Sequence, residues 1–164
     1  MRHSILRDGL IAGALGATAV AAWFLILDVS RGQPFYTPTE LGRTLLSVLG
    51  TSRNDPALLF IVAYTVFHYV AFIAVASLAA VFVHWGHSQP GVLAGAFILF
   101  VAIEIGFYGW TAVMAESPIL GVLAWPQVAI GNAIAAVLMG TYLWRSHPEL
   151  GKELDLALSG RPEG

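Results

Sequence analysis

Glu104 lies in the stretch "FVAIEIGFYG" (100–109), where its nearest polar neighbour along the chain is Tyr108. An ionised acid at the centre of a bilayer costs on the order of 2.5–3.5 kcal/mol. Such a group must be paired or protonated, and a protonated carboxyl can donate a hydrogen bond. Two side chains fall at a similar depth by residue count: His68 in "FHYVAF" and Asn132 in "GNAIAAVLMG". Tyr108 and Gln127 form a second level, Tyr64 lies one turn from His68, and Asp28 closes the first apolar run. These seven residues make the expected buried polar core.

Three chemistries are open to them. Glu104 and His68 can staple two helices together, as polar bonds do inside membranes. They can exchange a proton or hold a ligand, the default for intramembrane ionisable groups. His68 can also serve as a single axial haem ligand. The staple is the plainest and leads. Without cysteine there are no disulfides, thiolate nucleophiles, iron–sulfur clusters or Cys-based zinc sites. No Glu-x-x-His pair supports a di-iron bundle. His3, His84, His87 and His147 read as solvated groups near one membrane face. No Ser/His/Asp set shares a depth and no glycine loop cradles phosphate. The expectation is a protein that is not an enzyme and carries no cofactor, haem being the alternative.

The elements that must position these residues follow from composition. Of 164 residues, 57% are hydrophobic and 11% charged, and the mean hydropathy is +0.75. Soluble domains carry about 25% charged residues, and a chain this short cannot hide the difference in its core. Its surface must face lipid. The net charge of −2 gives no electrostatic footprint for nucleic acid.

A spanning helix needs about 20 apolar residues, and four stretches qualify: 9–29, 56–85, 90–114 and 118–144. Pro56, Pro90 and Pro118 stand at helix starts, where a missing N–H costs nothing. Pro126 falls inside the last stretch, so that helix either kinks there or begins there. The first run extends through Trp23 to Leu27, too long for a signal core, and reads as a retained helix. The fold class is therefore all-α: a four-helix antiparallel transmembrane bundle over 1–145 and a polar tail over 146–164.

The first loop predicts a short amphipathic helix over 38–49. Thr37 and Glu40 form a capping-box pair, Leu41, Leu45, Val48 and Leu49 share a face, and Gly50 ends it. Interfacial packing is the leading reading of this helix and a lid over the bundle the other. Close helix contact is expected at Gly9, Gly13, Ala17 and Ala21 in the first span, Ala71 and Ala79 in the second, and Ala136 and Gly140 in the fourth. Arg2, Arg7, Arg145, Lys152 and Arg161 lie on the termini and Arg31, Arg43 and Arg53 in the first loop. That bias puts both termini in the cytoplasm.

"GLIAGALGATAVAAWFLILD", "PFYTP", "FHYVAF", "AIEIGFYG" and "GNAIAAVLMGTYLWRSHPEL" together resemble a group of small, uncharacterised bacterial four-span membrane proteins. The resemblance implies a shared bundle and one design linking Asp28, His68, Glu104 and Asn132; the expected location is the bacterial inner membrane. It brings no substrate. The expected role is a structural or accessory subunit, in contact with lipid and with other membrane subunits or copies of itself. The alternative is a proton-coupled carrier or ligand-binding protein using the Glu/His pair.

Overall fold

The computed structural model describes residues 5–47, 50, 55–86 and 125–147, without the side chains of 83–86 and 125. The expected span 90–114, with Glu104 and Tyr108, lies outside the described residues, as do 118–124, 148–164, His3 and His87. Within them the chain is all-α. The helices are α1 (Ile5–Ser30), α2 (Tyr36–Ser47), α3 (Ala57–Gly86) and α4 (Trp125–Ser146). Three of them, α1, α3 and α4, are long and apolar enough to cross a membrane. Pro126 is in the first turn of α4 as described, where its ring breaks no helical bond.

Helix α1 is the hub. Its Gly9 and Gly13 lie against Ser77 and Ile73 of α3, and its Gly16 against Met139 of α4. At its far end Trp23 Nε1 donates to Gln127 O of α4 (2.9 Å). Both partners thus run antiparallel to α1, and so parallel to each other. Apolar tails give helices no hydrophobic reason to associate, so close approach at small residues replaces it. A small core of Ala12, Ala76, Ala80 and Leu143 fills the junction of the three helices.

The expected contact residues divide. Gly9, Gly13 and Ala17 are buried, joined by Gly16 and Ala12, which the four-residue stripe leaves out. Ala21 instead lines a pocket. On α3 the buried alanines are Ala76 and Ala80; Ala79 packs half-buried beside them, and Ala71 lines a groove. On α4 the buried positions are Gly131, Ala135 and Leu143, with His147 just beyond its end, while Ala136 and Gly140 are exposed. That face begins one residue before the expected stripe, a turn of about 100° around the axis. No described atom lies within 4 Å of a Cβ placed on Gly140. Gly140→Ala should therefore leave stability unchanged or raise it by up to about 1 kcal/mol, as helical glycines are replaced at no steric loss. Reversible unfolding in mixed micelles measures this.

Helix α1 ends on Gly32, at φ 72°. Gln33 N–H donates to Asp28 O (3.0 Å) and Gly32 N–H to Val29 O (2.9 Å). These are the two bonds of a Schellman stop, with Pro34 following. Helix α2 begins at Tyr36, two residues earlier than expected, and ends at Ser47. Gly50, at φ 79°, donates its N–H to Ser47 O (3.1 Å). Gly42 brings α2 onto the backbone of α3: an added Cβ would stand 2.0 Å from Phe60 O. Its most buried residues are Thr37 and Gly42; Leu41 and Leu45 are only half-buried.

Candidate functional site

His68 occupies the middle of the described bundle. Its Nε2 lies 3.1 Å from Ala17 O, close to the midpoint of α1. A carbonyl only accepts, so Nε2 carries the proton and, in the neutral ring, Nδ1 is left as an acceptor. The imidazole is packed by aromatic rings of its own helix. Tyr64 stacks at 5.6 Å and Phe72 lies at 4.7 Å between centroids, and Tyr69 meets it edge-on at 6.1 Å. Iron ligation through Nε2 would require giving up the Ala17 bond. Among the described residues no group of three or more His, Asp and Glu is placed to hold a metal ion.

Around His68 opens a pocket of about 320 Å³ between α1, α2 and α3. Phe24, Leu25, Ile61 and Phe35 supply apolar wall, and Thr18, Thr65, Tyr64, Tyr69, His68, Asp28 and Thr37 the polar groups. Helix α2 contributes Thr37 and Pro38, so it covers one side. Of the expected polar core, His68, Tyr64 and Asp28 share this pocket. Asn132 lies elsewhere, in a groove of about 240 Å³ with Ala71, Val75 and Met139. Phe72 lines that groove and also contacts the His68 ring, so it stands between the two. Gln127 uses its backbone carbonyl, accepting from Trp23.

Asp28 is almost fully buried. Its Oδ2 accepts the Thr37 N–H and its Oδ1 the Thr37 hydroxyl, both at 2.7 Å. The first-turn amides of a helix have no partner within it. The carboxylate of α1 therefore caps α2 and sits at its positive end. This corrects the capping-box expectation. Thr37 is inside the helix and is itself capped, while Glu40 turns forward to pair with Arg43. The Arg43 guanidinium also lies over the Phe60 ring, 5.2 Å from its centroid.

A second buried acid was not anticipated. Asp8 is 2% exposed; its Oδ1 accepts from the Tyr142 hydroxyl (3.4 Å) and its Oδ2 lies 3.5 Å from His147 Nε2. His147 Nδ1–H donates to Leu143 O (3.1 Å). His147, expected to be solvated, is 9% exposed. The cluster ties the start of α1 to the end of α4. Its signal was present: Asp8, Ala12, Gly16 and Val20 recur every four residues, and all are buried.

No family model matches the chain, and neither does any curated protein or solved structure.

Proposed function

We propose that this chain is a four-span bundle of the bacterial inner membrane that binds a small molecule in the pocket around His68. The pocket carries the reading. At about 320 Å³ it falls within the range of small-molecule sites, which are mostly apolar with a few convergent polar groups. Helix α2 serves as its cover.

The span count is supported by direction. Helices α3 and α4 are parallel, so the end of α3 and the start of α4 lie at opposite ends of α1. If both cross the bilayer, the 87–124 chain must cross back. "PGVLAGAFILFVAIEIGFYGWTAVM" is long enough to do so. Both termini then share one side, which the arginine bias makes cytoplasmic.

Native mass spectrometry directly from membranes tests the binding reading. A small adduct should accompany the protein and fall at least several-fold in Ala21→Phe, which fills the pocket from α1. Wild-type protein carrying no adduct, or an Ala21→Phe variant with unchanged occupancy, would remove the reading.

A second reading, accessory subunit of a larger complex, is favoured by the small residues Ala136 and Gly140 on α4, which no other described helix covers, since such faces let another helix approach closely. Gly140→Leu should then release a co-purifying membrane protein without lowering the stability of the bundle. A monodisperse lone chain with no cross-linked partner would sink it.

A further inference from the structure

Resting on that binding reading, we infer that the pocket selects an organic cation: a compact, lipophilic ammonium of about the size of a substituted benzylamine. The inference comes from where the hydrogens already go. Thr18 Oγ1 donates to Ala14 O (2.7 Å), so across its 2.9 Å contact with Tyr69 Oη the tyrosine must be the donor. Thr65 Oγ1 donates to Ile61 O (2.7 Å), Thr37 to Asp28, and His68 Nε2–H to Ala17 O. Among the described lining groups only the Tyr64 hydroxyl has no such bond.

The pocket therefore offers an entering molecule mainly lone pairs. A ligand rich in acceptors would find few donors, and leaving polar groups unmet away from water is costly. A ligand that donates fits. Charge points the same way. Both oxygens of Asp28 face donors, the arrangement that suits a carboxylate, and among the described lining residues there is no Lys or Arg. Among the described residues no basic side chain pairs with Asp28. The wall also includes the aromatic residues Phe24, Phe35, Tyr64 and Tyr69, and aromatic rings attract cations across their faces.

The test uses benzyldimethylammonium and its uncharged carbon isostere, isobutylbenzene, at neutral pH. Equilibrium dialysis against the protein in nanodiscs, with empty nanodiscs subtracted, gives the saturable component of each. The cation should bind at least ten-fold more tightly than the hydrocarbon. Asp28→Asn, which keeps the shape, should bring that ratio close to one. Thr37→Val, which loosens α2 but keeps the carboxylate, should retain it. Saturable binding of isobutylbenzene as tight as that of the cation would overturn the inference and leave the pocket standing. Saturation by neither would take the binding reading down as well. A cation preference that survives Asp28→Asn would remove Asp28 from the selectivity and overturn the inference as stated. The wild-type ratio decides even if Asp28→Asn fails to fold.

Discussion

Gly13→Val should part α1 from α3 and destabilise the bundle by about 3 kcal/mol, the upper end of what overpacking costs. A Cβ at Gly13 would lie 2.5 Å from Ile73 Cα, 2.8 Å from Ile73 N and 2.9 Å from Phe72 O. All three are backbone atoms, so no rotamer change makes room. Carbon atoms pack best at about 3.5–4.0 Å, so the helices must separate by about 1 Å. That separation reaches the next turn, where Ala17 O meets His68 Nε2, and the previous one, where Gly9 meets Ser77. Gly16→Ala presses chiefly on the Met139 sulfur and the Phe72 ring. A thioether side chain yields readily, so the loss there should be smaller. Unfolding in mixed micelles should rank Gly13→Val first, Gly16→Ala second and Gly140→Ala last. Equal behaviour of Gly13→Ala and Gly140→Ala would show that α1 and α3 do not touch there.

That ranking marks how far the sequence could be read. A glycine or alanine every fourth residue from Gly9 announces a contact seam, because small residues let helices approach closely in lipid. Long apolar runs likewise announce spanning helices, since their length is set by the bilayer. Which way each helix turns its faces is less legible. In α4 every residue from Ile130 to Met139 except Asn132 is apolar or glycine, so apolarity does not distinguish one face from the next. The buried face of the described α4 runs through Gly131, Ala135 and Leu143 towards His147, one residue before Ala136 and Gly140.

Partners far apart in the chain were harder still. Asp8 and His147 stand at opposite ends of the described chain, and each alone resembles an ordinary terminal polar residue. Only the antiparallel fit of α1 and α4 makes them neighbours. The cap of α2 departs from the local expectation for a related reason. A Thr followed by Glu three residues on suits local capping, but a buried carboxylate supplied by the tight turn from α1 competes for the same N–H. Charge-assisted bonds are about twice as strong as neutral ones, so Asp28 prevails.

The strength of that clamp sets the last expected result. Asp28→Ala should release α2 while leaving the spanning helices in place. Thr37 is 4% exposed, and the substitution would strand both its N–H and its hydroxyl without their acceptor. Hydrogen bonds to charged groups contribute about 1.5–3 kcal/mol each, and stranding two donors together should cost about 3 kcal/mol. Helix α2 is short and sits at the edge of the bundle, so local opening relieves the loss at less cost than global unfolding. Amide exchange over 36–47 should then quicken by on the order of a hundred-fold, tenfold for each 1.4 kcal/mol. Exchange in the middle of α1 and α4 should stay as it was. Asp28→Asn, with one acceptor left, should fall between, and Thr37→Ala should do less than Asp28→Ala because the carboxylate still caps the N–H. A uniform rise in exchange along all four helices would mean that Asp28 supports the whole bundle, and no rise over 36–47 would mean that it does not hold α2.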